Sequence, residues 1–393
     1  RWVLIAAMAW VVVSCQGTRE MPEPGFRADD LREARAYWLA EDAIAWDVPE
    51  DSRVSLFFSE SARLPRGTER ALKGDGVVAG ELAGKFPHLA GLPLFRIRDE
   101  DLPGIPNILK SQFAVAARDS SENPVAITSL QSAGVLDQLF AYDGELGVVY
   151  NDGIPGIRLW APTARSVKLH LFDDSAPESP ASAVIPMTEN PDSGTWSVTG
   201  QADWDRKFYL FEVEVYVRRS GRIEHNLVTD PYSLGLSTDS RRSQIVNLAD
   251  EDLLPPGWAK LEKPPLERPE DIVLYELHVR DFSAADPTVP EPERGTFAAF
   301  RYDGTYGMRH LTGLADAGLT HIHLLPAFDC ATIPENPVDQ LTPPDLSALP
   351  PDSDRQQAEI EKVRAQDAFN WCYDPYHYTV PEGSYSTDPD GTR

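Results

Sequence analysis

The chain has 393 residues, with 36 Lys and Arg against 62 Asp and Glu, a formal net charge of -26 and 42% hydrophobic residues. This length allows two or three domains of ~100–200 residues each, and the apolar content excludes a disordered or fibrous protein. The negative charge would be repelled by a phosphate backbone, which excludes nucleic acid as a partner. The 34 prolines, 26 glycines and nine tryptophans are typical of many short strands joined by turns.

An apolar run opens the chain. Trp2 to Val13 is too short for the ~20 residues of a membrane span but fits the core of a secretory signal. It ends at Cys15 in the sequence VVSC, which resembles a bacterial lipobox and predicts a signal peptide over 1–15, with Cys15 lipidated after cleavage. The alternative is a cysteine that happens to end a signal peptide or transmembrane segment. In the first case the protein is a secreted bacterial lipoprotein of the outer membrane, cell surface or periplasm, held only by its lipid.

The polar residues 16–28, rich in Pro and Gly, predict a tether. An all-β sandwich is expected over 29–146. In it, Ala34–Trp46 is predicted as a hairpin, although helical spacing competes there, and Arg53–Ser59 alternates apolar and polar residues as a strand does. A dinucleotide-type pattern at Gly74 has no strand before it, and chance is the favoured explanation.

A second β-sandwich is expected over 147–255. Its strand signals are Gly156–Trp160, Ser166–Phe172 and Lys207–Val217, and the last alternates over eleven residues. The pairs Pro255-Pro256 and Pro264-Pro265, together with Pro269, predict a stiff linker over 256–269.

The pattern changes over 270–393. Ile272–Val279 and Thr320–Leu325 are apolar runs, and Gly304–Ala317 between them has helical spacing with Gly318 as its stop. This order predicts a parallel strand–helix–strand unit buried on both faces, and Asp354–Gln366 predicts an exposed charged helix. A closed (β/α)8 barrel needs roughly 250 residues, about twice the length of 270–393. The predicted fold is therefore two all-β sandwich modules followed by the truncated start of a TIM barrel.

The remaining cysteines and two histidines are further candidate sites. Cys330 and Cys372 lie 42 positions apart and could form one disulfide, but two buried unpaired thiols are the favoured interpretation. His321 and His323 share one face of a strand, and without a third ligand nearby a structural role is favoured over a metal site.

One cluster of side chains is of the kind that binds a ligand. The segment Asn370–Tyr378 packs four aromatic rings, an amide, a carboxylate and an imidazole into nine residues, after a long Pro-rich insertion. Flat rings stack on the C–H face of a sugar, while Asn, Asp and His bond its hydroxyls. This pattern predicts a sugar-binding loop; the alternative is an aromatic loop core.

The motifs also resemble a known family. The stretch Asn370–Tyr385, NWCYDPYHYTVPEGSY, is similar to the YNWGYDP-type motif of pullulanases and limit dextrinases, debranching enzymes of glycoside hydrolase family 13. Phe369 stands where the family has Tyr, and Cys372 where it has Gly. Further similar segments are Tyr275–Ser283 and Gly318–Asp329 (first and second barrel strands), Arg158–Asp173 and Val228–Ser233 (carbohydrate-binding module 48), and Ala34–Trp46, Phe86–Ile97 and Gly134–Val148 (the preceding β-domain).

The resemblance implies a retaining hydrolase of α-1,6-glucosidic bonds in pullulan, amylopectin or limit dextrins. It places the nucleophilic Asp and acid Glu after later barrel strands, beyond Arg393, so the chain itself is expected to be inactive. Tyr373 matches the Tyr that stacks under the glucose whose bond is cut; Asp374 is expected to fix the loop, and Trp371 and Asn370 are weaker candidate contacts. Calcium is common in this family, but no ligand spacing for it is recognisable, so no cofactor is assigned.

Two alternatives stay open. One is a non-catalytic α-glucan-binding surface lipoprotein, in which the two β-modules act alone. The other is an isoamylase or branching enzyme of the same family, which shares the barrel and the carbohydrate-binding module.

Overall fold

The computed structural model describes residues 31–49, 51–64, 67–369 and 371–392. The predicted signal peptide (1–15), its Cys15, the tether over 16–28 and Asn370 lie outside the described residues. Contacts divide the chain into two compact units: one reaches Leu139 and includes Tyr216–Arg222, and the other comprises Phe140–Val215 and the residues from Ile223 onward. Among the described helices, none combines the length and apolar character that crossing a bilayer requires.

In the part of the first unit that the structure describes, there are eight strands and three short α-helices. The strands form one hydrogen-bonded path in the order β4-β3-β7-β8-β1-β2-β6-β5, in which β1 and β8 run parallel and all other neighbours antiparallel. The elements are β1 Ala34–Ala40, β2 Ala43–Trp46, β3 Arg53–Ser59, β4 Thr68–Ala71, β5 Lys73–Val77, α1 Gly80–Lys85, β6 Pro93–Arg96, α2 Ile105–Leu109, β7 Gln112–Arg118, β8 Pro124–Gln131 and α3 Ala133–Leu139.

The hairpin predicted over Ala34–Trp46 is confirmed, because β1 and β2 pair antiparallel around a tight turn. Trp38 on β1 is fully buried, and its ring meets that of Phe113 on β7 edge to face with centroids 5.6 Å apart. An apolar contact thus ties together two strands that are not direct neighbours in the sheet. The strand predicted at Arg53–Ser59 is confirmed as β3.

The second unit begins with two sheets. One has the order β13-β14-β10-β9, and the other has the order β12-β11-β15-β16 with β17 paired to β15. The strands are β9 Gly147–Asn151, β10 Ile154–Trp160, β11 Ala164–Phe172, β12 Ala183–Pro186, β13 Thr188–Asn190, β14 Thr195–Thr199, β15 Phe208–Val217, β16 Arg222–Val228 and β17 Ser243–Gln244.

Both sheets contribute to one apolar core, so the sandwich expected here is confirmed. Ile157 of β10 and Trp196 of β14 come from one sheet, and Leu169 of β11 and Phe211 of β15 come from the other; all four are buried in the same cluster. Every second side chain from Val167 to Leu171 on β11 is buried, since successive residues of a strand point to opposite faces.

A strand–helix–strand unit follows. Its elements are β18 Leu274–Leu277, α4 Val279–Ser283, α5 Tyr306–Asp316 and β19 His321–Leu324. β18 and β19 pair in parallel, as predicted. Thr305 caps α5 by accepting a hydrogen bond from the backbone N–H of Met308, and Gly318, with φ of +108°, lies just beyond the helix end.

The expectation that these two strands are buried on both faces is wrong for the described residues. The side chains of Leu274, Ile322 and Leu324 are 54%, 41% and 43% exposed. The physical reason is that β18 and β19 form a two-stranded sheet with no further described strand on either edge. An apolar run predicts a strand whose faces pack against other elements, but it does not show whether those elements are present.

The chain then makes an antiparallel hairpin of β20 Phe328–Cys330 and β21 Pro375–Pro381 around a long insertion that contains α6 Arg355–Glu361. α6 is shorter than the helix predicted over Asp354–Gln366. Glu359 on α6 forms an ion pair with Lys362, just beyond the helix end, at 2.7 Å.

Buried polar contacts attach this hairpin to the preceding sandwich. Asp329 on β20 accepts a hydrogen bond from Ser240 and pairs with His377 on β21, both at 2.6 Å, and His377 contacts Thr229 at 2.8 Å. The hydroxyl of Thr379 donates to the carbonyl of Ser233 at 2.6 Å. Because buried polar groups are costly without partners, these contacts fix one position of the hairpin.

A buried acid lies at the same junction. Glu335 accepts a hydrogen bond from the backbone N–H of Asp239 at 2.6 Å and is 4% exposed. Burial, together with the neighbouring carboxylates of Glu382 and Asp329, raises the pKa of Glu335 to about 8. Glu335 therefore keeps its proton to a higher pH than an exposed glutamate does.

We predict that this carboxyl lowers stability as the pH rises. Its folded pKa exceeds the unfolded value, so the stabilisation is complete below the unfolded pKa of 4.5 and is lost as the pH rises through about 8. The loss is roughly 1.4 kcal/mol for each tenfold difference between the folded and unfolded acid dissociation constants. Glu335→Gln should flatten the fall in unfolding free energy between pH 5 and pH 9, measured by urea denaturation.

The matched control is Glu361→Gln, since Glu361 is an exposed acid on α6. It should leave the wild-type pH dependence unchanged. Parallel pH curves for the wild type and Glu335→Gln would contradict the assignment.

Candidate functional site

Five exposed aromatic side chains follow the long insertion, in the segment where the sequence predicts a sugar-binding loop. We call them the aromatic strip: Phe369, Trp371, Tyr373, Tyr376 and Tyr378 are 63%, 51%, 70%, 53% and 71% exposed. Large rings are ordinarily buried, so a group of them on the surface is a candidate binding site. The alternative of an aromatic loop core does not fit these exposures.

Asp374 makes two hydrogen bonds to the segment that follows β20. Its carboxylate accepts a hydrogen bond from the hydroxyl of Thr332 at 2.5 Å, and its carbonyl accepts one from the backbone N–H of Ala331 at 3.1 Å. Both partners follow β20 directly. The side chain is thus engaged within the protein, beside the exposed ring of Tyr373.

A disulfide joins Cys330 and Cys372, with Cα atoms 5.3 Å apart. The favoured interpretation of two unpaired thiols is wrong, although both residues are buried as it expects. Cys372 has φ of +53°, in the left-handed region that favours glycine. The resemblance places glycine in the family at this position, and the observed backbone is of the kind that glycine adopts freely.

His377 lies in the interior and not in the sugar site. It is 2% exposed and is held between Asp329 and Thr229. The expectation that a histidine of this cluster bonds sugar hydroxyls is therefore wrong. The strand period explains this, because Tyr376 and Tyr378 share one face of β21 and the residue between them points to the other.

Two buried acids near the strip were not predicted from the sequence. Glu382 is fully buried and accepts hydrogen bonds from the backbone N–H groups of Cys330 and Ser384, and burial raises its pKa. With Glu335 and Phe297 it lines a cavity of about 350 Å³. Single acids in irregular segments have no periodicity, so no sequence signal identified them.

No metal centre can be built from the disulfide region. Cys330, Cys372 and Glu382 have ligand atoms within 4.8 Å of one another, and they are the only such group of three among the described residues. Because both sulfurs are joined to each other, neither can act as a thiolate ligand. His323 pairs with Glu276 at 3.3 Å, which agrees with a structural role.

The arrangement suits a ring-shaped polar ligand. Exposed Tyr and Trp rings offer flat apolar faces with a polar edge, and the loop that carries them is tied to the end of β20 on both sides of Tyr373. Trp160, by contrast, donates from its indole nitrogen to the carbonyl of Phe140 at 2.8 Å, as a structural tryptophan does. The aromatic strip is the candidate binding site.

Comparison with known proteins identifies the modules. Residues 33–138 match the pullulanase N2 domain, and residues 145–233 match carbohydrate-binding module 48, the isoamylase N-terminal domain. Pullulanase 1, chloroplastic, of Arabidopsis thaliana is 37% identical over 92% of this chain, and the pullulanase of Klebsiella pneumoniae is 31% identical over 93%. The chain spans 38% of the length of each.

Solved structures agree. The maltotriose complex of PulA from Klebsiella pneumoniae superposes with a TM-score of 0.84 at 32% identity, covering 93% of this chain and 44% of that one. PulA from Klebsiella oxytoca superposes with a TM-score of 0.83 at 30% identity, covering 93% and 39%. The chain belongs to the pullulanase family and corresponds to the N-terminal region of its members.

Proposed function

We propose that the complete protein is a debranching glycoside hydrolase that cuts α-1,6-glucosidic bonds in pullulan, amylopectin or limit dextrins. The observation that carries this proposal is the pairing of a pullulanase N2 domain with carbohydrate-binding module 48 in one chain. Both named relatives are pullulanases. A branching enzyme or isoamylase is the weaker candidate, because the N2 match covers residues 33–138 in addition to the shared module.

We further propose that β18, α5 and β19 begin a (β/α)8 catalytic barrel. Two features support this: the strands are parallel with a helix between them, and their apolar side chains are exposed in the way that strands awaiting barrel neighbours would be. The aromatic strip follows the second strand of this unit. Loops after barrel strands carry the active site in this architecture.

In this proposal the described residues contribute substrate contacts. Retaining hydrolysis needs two carboxyl groups about 5–5.5 Å apart, one as nucleophile and one as acid. The resemblance places them after the fourth and fifth barrel strands, whereas the described unit has two. Tyr373 stacks on glucose, Trp371 is a further contact, and Asp374 holds the loop. Asn370, which lies outside the described residues, stays a further candidate contact from the sequence.

For localisation we propose export with a lipid anchor on Cys15. The disulfide between Cys330 and Cys372 supports export, because structural disulfides persist in oxidising compartments. The anchor itself depends on the sequence pattern before Cys15. Lipid is then the protein's only membrane contact.

The activity is tested on the complete protein with pullulan as substrate. We expect release of maltotriose, since pullulan's α-1,6 bonds separate such units. A complete protein that leaves pullulan intact while binding it would favour the non-catalytic surface lipoprotein instead.

Tyr373→Ala should weaken maltotriose binding about tenfold, because it removes the exposed stacking ring while leaving the loop contacts of Asp374 in place. Isothermal titration of the full chain measures this. The control is Tyr306→Ala, since Tyr306 is 57% exposed but lies on α5, outside the aromatic strip; it should bind maltotriose as the wild type does. Equal losses in both variants would contradict the assignment of Tyr373.

Cys15→Ser should abolish labelling by radioactive palmitate in a bacterial host, since the lipid is attached through the sulfur. Cys372→Ser serves as the control and should keep the label. Labelled Cys15→Ser protein would rule the anchor out.

A further inference from the structure

Both chain neighbours of Tyr373 are tied to the same short segment. Cys372 is joined covalently to Cys330, and Asp374 accepts hydrogen bonds from Ala331 and Thr332. We call these two links the Tyr373 clamp. The residue between them is 70% exposed, so the clamp holds the backbone on each side of a ring that faces solvent.

The disulfide is embedded in the interior. Cys372 is fully buried, and its sulfur lies 3.5 Å from the hydroxyl of Tyr385, which in turn lies 2.9 Å from His278. Cys330 is also buried, and its backbone N–H donates to Glu382 at 2.8 Å. A buried disulfide with fixed surroundings acts as a permanent brace and not as a switch exposed to reductants.

The position of the clamp explains why a brace is useful. Cys330 and Cys372 are 42 residues apart in sequence and enclose the whole Pro-rich insertion. The two ends of a long insertion can take many positions relative to each other. A disulfide between those ends removes this conformational freedom. Cys372 also adopts a left-handed backbone that a non-glycine residue disfavours. The cross-link therefore maintains a loop shape that the residue alone would not choose.

We propose that the Tyr373 clamp presets the stacking ring for α-glucan, which makes Cys330, Cys372 and Thr332 positioning residues. This rests on the proposed function, since it assigns Tyr373 to glucan binding. A tyrosine ring that is already fixed in place loses less conformational entropy when the ligand binds. The affinity for the ligand is therefore higher.

Three variants of the full chain separate the effects of the disulfide, of the left-handed backbone at position 372 and of the Thr332 hydrogen bond. Cys330→Ala with Cys372→Ala removes the link and leaves a residue that disfavours the left-handed backbone. Cys330→Ala with Cys372→Gly removes the link but suits that backbone. Thr332→Val removes the hydroxyl donor and keeps the disulfide. The control is Thr342→Val, an exposed threonine within the insertion.

Two measurements are made on each protein: amide hydrogen exchange followed by mass spectrometry, and maltotriose affinity. We expect faster exchange confined to residues 371–374, with the dissociation constant raised about tenfold in the double alanine variant and less in the glycine variant. The control should match the wild type in both measurements. Recovery by glycine is the result that a merely stabilising disulfide would not give.

Unchanged exchange in all three variants would overturn the proposal, as would faster exchange with wild-type affinity. If the cysteine variants exchange faster throughout the second unit, they have lost their fold, and Thr332→Val then decides the question. A wild type that binds no maltotriose would refute the proposed function, whereas the exchange data would still show whether the clamp orders residues 371–374.

Discussion

The buried carboxylate of Asp329 is the contact on which the candidate site depends. It accepts from Ser240 of the preceding sandwich and pairs with His377 of β21, both at 2.6 Å. An acid with 1% exposure is tolerated only when its oxygens have such partners. Since Asp329 belongs to β20, this one residue joins sandwich, hairpin and loop base. The aromatic strip projects from a rigid base because that base is bonded on both sides.

The fold was predictable where a strand has one buried face. β11 and β15 alternate in sequence and bury the corresponding side chains, as the sandwich core shows. The prediction failed for β18 and β19, whose apolar side chains are exposed. The periodicity of a sequence shows which side chains of a strand are apolar. Whether those side chains are buried depends on elements elsewhere in the chain. Helix ends followed local chemistry better, with Thr305 and Gly318 flanking α5.

The aromatic residues of the site were predictable from the sequence, but the disulfide that holds them was not. The aromatic residues are close in sequence, so the strip was identified directly. The link between Cys330 and Cys372 spans 42 positions and depends on the hairpin of β20 and β21, which no local pattern encodes. The burial of His377, however, follows from strand alternation. Once Pro375–Pro381 is recognised as a strand, Tyr376 and Tyr378 must share one face and His377 must take the other.

Two of the apolar surfaces that the described residues expose differ in chemistry, and the difference indicates different ligands. The side chains of Leu274, Ile322 and Leu324 are aliphatic, branched and without polar atoms, which suits packing against other protein elements. The aromatic strip instead combines flat rings with hydroxyl and indole groups, which suits a ligand with both C–H faces and hydroxyls. With a net charge of -26, the protein repels polyanions while leaving neutral polymers free to approach. Under the proposed function, a neutral glucan would match the strip and the net charge together, whereas a protein partner would match only the aliphatic surface.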